Sequence, residues 1–246
     1  NQSKKQNLIF RPERGKENTV RIVPYKHGPD PFNELYFHYD VGSVKSILCT
    51  QSTGIETDCP ICNFVQSLLK DKNDKNLALY KRLKSKFRAY VPIVVRGKED
   101  EGVKFWGIGK NVYTAICQLF IDKDYGDISD PKVGRDLKIL ATEATAQNIY
   151  GQVQVRPAAN ASKLSNDIEV AKSLIGNCPN VFDAFQKMEY AEVEKALETF
   201  INEGDDNTNN DTHDDAKSDK PNKAAQPTED LDDIDDFLES LQKENK

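Results

Sequence analysis

The chain has 246 residues, of which 37% are hydrophobic and 30% charged, with a net charge of −6. That length allows one good-sized domain with extensions, or two small ones. No run of about 18 apolar residues occurs, which excludes a membrane-spanning helix, and five cysteines without a visible signal peptide argue against a disulfide framework and for a reducing, cytoplasmic setting.

The acidity would argue against nucleic acid if it were even, but it is not. Residues 204–246 hold 14 acidic and five basic side chains, leaving 29 basic and 26 acidic before them. Residues 63–113 hold 12 basic against five acidic. A basic body with an acidic tail points to nucleic-acid work.

In chain order, residues 1–17 read as an N-terminal arm, with Lys4 and Lys5 and no apolar pattern at its start. The opening at Asn1 instead of methionine suggests a missing N-terminal piece. Thr19–Val23 alternates as a strand and stops at Pro24; Glu34–Val41 and Val44–Leu48 form two more, joined by a Gly42-Ser43 turn. Cys62–Lys70 reads as a short helix capped by Asp58, and Asn76–Lys86 as a second, apolar at Leu77, Leu79, Tyr80 and Leu83. Arg88–Val95 and Val103–Ile108 pair across a Gly97–Gly102 turn, and Asn111–Ile121 follows as an amphipathic helix. Leu137–Ala141 and Ile149–Val155 are further strands; Val181–Ile201 is a helix packing through Phe182, Phe185, Val193, Leu197 and Phe200. The class is mainly β with inserted helices (α+β), and a small Greek-key barrel fits it better than a doubly wound sheet.

His38, Cys49, Cys59 and Cys62 carry the sharpest chemistry. One imidazole and three thiols, the last two in a Cys59-Pro60-Ile61-Cys62 turn, make a ligand set suited to one tetrahedral Zn2+. Four protein ligands leave no position for water, so the expected role is structural. A redox dithiol at Cys59 and Cys62 is an alternative, but it would want a βαβ setting and the following segment is helical and basic. His27 is the other candidate for the histidine ligand. Cys117 and Cys178 sit among apolar residues and read as small core side chains.

Between Tyr80 and Tyr113, cations alternate with rings. A groove for unpaired strands needs both, because cations track phosphates while rings stack on bases of any kind. The candidate DNA contacts are Lys81, Arg82, Lys84, Lys86, Arg88, Tyr90, Lys104, Trp106, Lys110 and Tyr113, with Phe87 and Phe105 as weaker candidates. Alternation puts Arg88, Tyr90 and Pro92 on one strand face and Ala89, Val91 and Ile93 on the other, and gives Trp106 and Lys104 a common face. No P-loop, dinucleotide fingerprint or nucleophile–histidine system is present, so no enzyme is expected.

Residues 204–228 have almost no hydrophobes and are expected to be disordered. Within residues 230–241, Leu231, Ile234, Phe237, Leu238 and Leu241 fall on one helical face, a segment suited to folding on a partner protein.

These residues together resemble the T-even-type phage single-stranded DNA-binding protein family, the helix-destabilising proteins of replication. The resemblance rests on His38-x10-Cys49-x9-Cys59-x2-Cys62, the basic-aromatic span, Gly109-Lys110 at a helix start and the acidic Leu-Asp-Asp tail. It covers about residues 18–113 well, the tail by character and residues 134–163 only loosely. It implies an OB-fold core, residues 18–203, with an inserted zinc subdomain at about 38–88 and a cleft for single-stranded DNA. It further implies an acidic tail, residues 204–246, that recruits replication and recombination proteins and shields the cleft. Through it, His38, Cys49, Cys59 and Cys62 fall on the zinc ligands. Lys84, Lys86, Tyr90, Trp106 and Tyr113 resemble the cleft's basic and aromatic positions or their neighbours, with Ala89 replacing one ring of a pair. The family's basic N-terminal domain is absent or reduced to Asn1–Gln6, so only weak self-association along DNA is expected. The expected function is coating and protection of unpaired DNA in replication, recombination and repair, in a host cytoplasm if phage-encoded. A zinc-containing RNA-binding or transcription adaptor is the alternative from another class; a thiol oxidoreductase is a third.

Overall fold

A computed structural model describes residues 8–71, 73–143 and 151–206. Its architecture is α+β: one eight-stranded sheet, five helices and two short 3-10 turns among the described residues. The strands are β1 (Ile9–Phe10), β2 (Glu17–Ile22), β3 (Asn33–Val41), β4 (Val44–Leu48), β5 (Lys86–Val95), β6 (Lys104–Ile108), β7 (Asp136–Ala141) and β8 (Val153–Pro157). The helices are α1 (Pro60–Leu68), α2 (Asp74–Leu83), α3 (Lys110–Ile121), α4 (Ile168–Gly176) and α5 (Tyr190–Asp206).

The ten-residue strand β5 is the branch point of the sheet. One edge carries β6 in antiparallel register, Ala89 opposite Ile108 and Ile93 opposite Lys104. The other edge is shared: its first half pairs with β3, Phe37 opposite Lys86, and its second half with β2, Val20 opposite Val95. Strand β2 continues to β7 and β7 to β8, while β3 turns back into β4. Ile9–Phe10, inside the stretch read as an arm, forms a parallel edge strand on β6, and Gly15 N–H then donates to the Ala141 carbonyl at 2.8 Å.

Two clusters cover opposite faces of β5. One gathers Val20, Ile22, Ala89, Val91, Ile93, Trp106, Ile108, Leu137 and Ile139, with Ile116 supplied by α3. The other holds Leu35, Phe37, Leu48, Phe105 and residues of the α4 region. A third cluster includes Cys49 and Cys59 and takes Ile61 and Val65 from α1, Leu83 from α2, and Val193, Ala196 and Leu197 from α5. The helix near the C-terminus thus packs on the residues around His38. Gly42, at φ +56°, fits there because a Cβ would stand 2.9 Å from the Ala196 carbonyl.

Several expectations need correction. The strand at Val103–Ile108 is present, but the face shared by Trp106 and Lys104 is the core face, and Trp106 is 2% exposed. Phe105 is likewise fully buried. The helix expected over Val181–Ile201 is split: a 3-10 turn at Val181–Ala184 is opened by an Asn180–Asp183 capping box and ends at Phe185, and α5 starts only at Tyr190. Phe185 leaves that turn in extended backbone, and its ring packs on Phe37 and Tyr90, whereas Phe182 is exposed. Helix α4 was not foreseen, although Asp167 accepts from the N–H groups of Glu169 and Val170 as a standard cap.

Helix α1 starts two residues early. Cys59 takes the N-cap position and Pro60 the first turn, where its missing N–H costs nothing. Asp58 is not the cap; its carboxylate instead accepts from the Cys59 N–H and the Asn63 amide. Helix α2 ends at Leu83 because Lys84 is already extended, which frees Lys86 to open β5. Cys178 is buried as expected, whereas Cys117 is only half-buried. The tail segment 230–241, with Leu231, Ile234, Phe237 and Leu238, lies outside the described residues, as does the start of the strand expected at Ile149.

Candidate functional site

His38 sits on β3 pointing away from Phe37 and Tyr39, as strand alternation requires, and is fully buried. Its Nδ1 donates to the Leu83 carbonyl at 2.7 Å. A carbonyl can only accept, so this bond keeps a proton on Nδ1 and turns Nε2, the nitrogen a metal would take once its proton is displaced, toward the thiols. That nitrogen faces Cys59 Sγ at 3.5 Å and Cys62 Sγ at 3.6 Å. Cys49, delivered just past the end of β4, brings its sulfur to 3.4 Å from Cys62 Sγ. This is far longer than a disulfide bond, and all five cysteines are free.

The four ligand atoms lie within 4.8 Å of one another. A tetrahedral zinc held at about 2.3 Å from sulfur and about 2.0 Å from nitrogen would space its ligand atoms about 3.5–3.8 Å apart. The Cys49–Cys62, Cys59–His38 and Cys62–His38 spacings of 3.4, 3.5 and 3.6 Å match that geometry, so the residues present fit such an ion. The protons of the cluster compete as well. Burial opposes a charged His38, but bonds to Cys49 and Cys59 outweigh it and hold the imidazole pKa at about 9. Cys59 and Cys62 pull the Cys49 thiol down, while Cys49 and Cys59 push Cys62 up. One buried cation would replace these competing protons for all four groups. His27 is not part of the cluster: its Nε2 lies 3.0 Å from the Cys178 carbonyl.

Beside the cluster runs the basic segment. On β5, Lys86, Arg88 and Tyr90 share one face; Lys86 and Arg88 are exposed and have no ion-pair partner among the described residues. The Tyr90 ring lies across β6 at Gly107, where a Cβ would stand 2.7 Å from Tyr90 Cε1. The Arg88 guanidinium similarly covers Gly109, at the start of α3. Tyr90 packs on Phe37 and Phe185 at ring separations of 6.0 and 4.7 Å, and Phe37 on Tyr39 at 6.1 Å. Tyr39, Tyr90 and Phe185 each keep part of their surface exposed, so they make a ring-bearing patch flanked by cations.

The remaining candidates divide. Lys81 and Arg82 are exposed on α2, but the Arg82 guanidinium stacks 4.6 Å from the Phe200 ring of α5. Lys84 is half-buried near the Tyr80 ring at 6.0 Å, and Lys110 is exposed. Lys104 pairs with Glu101, and Trp106 is in the core. Tyr113 belongs to a second file of rings with Phe87 and Phe32, on the other side of the sheet, and donates to Glu34 at 2.6 Å. The cation at Arg96 is also committed: it reaches Asp136 at 2.7 Å and the carbonyls of Lys163 and Leu164. Sequence reasoning passed over Tyr39 and treated Phe185 as helix packing. The signal for Tyr39 was present, since it lies two residues from Phe37 on an alternating strand.

A family model described as gp32 DNA binding protein like matches residues 14–202. The chain belongs to this gp32-like family. The matched span includes His38, Cys49, Cys59 and Cys62 and the whole of β5. A search of curated proteins finds no match. No helix among the described residues is long and apolar enough to cross a membrane.

Proposed function

We propose that this gp32-like protein binds single-stranded DNA, largely without sequence preference, on the face of β5 that carries Lys86, Arg88 and Tyr90. One observation carries the reading: two exposed cations without ion-pair partners flank part-exposed rings within the span of a DNA-binding family. Phosphates release counterions at the cations, and bases stack on the rings at about 1–3 kcal/mol each. Duplex DNA offers no free base faces to such a patch.

The metal is proposed to be one structural zinc held by His38, Cys49, Cys59 and Cys62, whose chemistry is to tie β3, β4 and α1 together. The core over residues 18–203 is proposed to be an OB-type barrel with the zinc subdomain at about 38–88. In support, one face of β2, β5, β6 and β7 shares a single cluster plugged by Ile116 of α3. The biological role is coating and protecting unpaired strands in replication, recombination and repair, with residues 230–241 of the acidic tail recruiting partner proteins. No chemical step is assigned to any residue; this is a binding protein.

Fluorescence anisotropy of labelled oligo-dT tests the reading. Binding that weakens steeply with salt and exceeds binding to duplex and to RNA of the same length is expected. Equal affinity for RNA would favour an RNA-binding adaptor, and preference for duplex would contradict the proposal.

A further inference from the structure

Phe185 has two neighbours of different kinds. Its ring packs 4.7 Å from Tyr90, and it also lines a groove of 860 Å³ between the N-terminal segment and β4. Ser46, on the same groove wall, is the register partner of Tyr39. The ring patch and the groove are therefore continuous surface.

The groove's charges are unequal once ion pairs are accounted for. Glu13 is held by Lys16 at 3.0 Å, Glu17 by Lys138 and Arg156, and Glu101 by Lys104. Arg96 is taken by Asp136. Arg11 and Lys98 line the same groove, are exposed, and have no ion-pair partner within 4.0 Å among the described residues. Arg11 also lies close enough to Tyr90 to favour its phenolate, as Arg88 does, against the dominant effect of burial.

We propose that this groove continues the nucleic-acid path: a strand leaving Tyr90 and Phe185 passes along the N-terminal segment, with its phosphates on Arg11 and Lys98. The inference rests on the single-stranded DNA reading and assigns that site a second, purely electrostatic section. It gives the segment at residues 9–16 a role beyond edge pairing. The ligand is a polyanionic strand; the groove offers phosphate contacts, and the rings that stack on bases lie at its Phe185 end.

Oligo-dT of about 4 and about 12 nucleotides, spanning the range one OB-type domain covers, distinguishes the sections. Arg11→Ala and Lys98→Ala alter exposed side chains and should leave the fold intact. With the longer oligonucleotide, each should weaken binding and reduce the slope of log K against log salt by about 0.7. With the shorter one, neither should change affinity. Unchanged binding at both lengths, with Arg88→Ala weakening both, would overturn the groove assignment and leave the ring patch standing. Equal loss at both lengths would make Arg11 part of the ring patch and also overturn the extension. Indifference of every oligonucleotide to Arg88→Ala as well would overturn the underlying reading.

Discussion

The hydroxyls of Ser52 and Ser85 lie 2.9 Å apart. Ser52 belongs to the loop after Cys49: its N–H donates to Cys49 Sγ at 3.3 Å, and its hydroxyl lies 3.2 Å from the same sulfur. Ser85 stands between Lys84 and Lys86. Together with the His38–Leu83 bond, this contact fastens the His38–Cys49–Cys59–Cys62 cluster to both sides of Lys84. Groups that hydrogen-bond a metal ligand typically contribute 10–100-fold to metal affinity. Ser52→Ala should therefore speed zinc loss to a chelator and lower metal affinity about tenfold. Ser85→Ala, which leaves the Cys49 contacts in place, should affect DNA binding more than metal binding. Chelator competition read alongside oligo-dT anisotropy checks both, and identical metal affinity in Ser52→Ala would disprove the link.

Trp106 is a stability residue. It is 2% exposed and packs among Val91, Ile93 and Ile108. Trp106→Ala should destabilise the protein by about 3–5 kcal/mol, seen as a lowered midpoint in denaturant, while a folded fraction retains its DNA affinity. A variant of wild-type stability that has lost DNA binding would show the opposite role.

Asp136 is shared by two guanidiniums, Arg96 at 2.7 Å and the fully buried Arg21 at 3.3 Å. Arg21 also donates to the carbonyls of Asp130 and Ser162 and so pins the loops beside β7. Asp136→Ala leaves a buried cation without its counter-ion and should cost about 3–5 kcal/mol, measured by thermal or denaturant unfolding. A change below about 1 kcal/mol would fit only a solvent-exposed pair.

Tyr90 sets an alkaline limit. Burial, and then Tyr39, raise its phenol from 10.0 to about 12. The folded state thus favours the neutral ring. Its contribution to stability is complete below pH 10.0 and is lost as pH rises from there through about 12. Tyr90→Phe should flatten the fall in unfolding midpoint over that interval. An unchanged alkaline profile would mean the ring is more open to solvent than its packing on Phe37 and Phe185 implies.

Much of this was legible in the chain because the signals were local. The spacing of His38, Cys49, Cys59 and Cys62 and the alternation in β3 and β5 need no tertiary information. What misled was depth. Trp106 and Lys104 do share a face, but alternation gives no sign of which face α3 covers, and Ile116 and Ile108 bury that one. The cations misled similarly: Arg96 and Lys104 look the same in sequence as Arg88, yet Asp136 and Glu101 claim them. Phe185 could not have been assigned from the sequence either, since its place beside Tyr90 depends on the extended backbone that interrupts the helix after Ala184.

Anisotropy of labelled oligo-dT, titrated with metal-loaded and chelator-stripped protein at low and moderate salt, probes the dependence of the DNA surface on the metal cluster most directly. The loaded protein should bind with a strong salt dependence, and stripping the metal should weaken binding because Lys84–Lys86 lose their anchor. Equal affinity with and without metal, at both salt concentrations, would contradict the account.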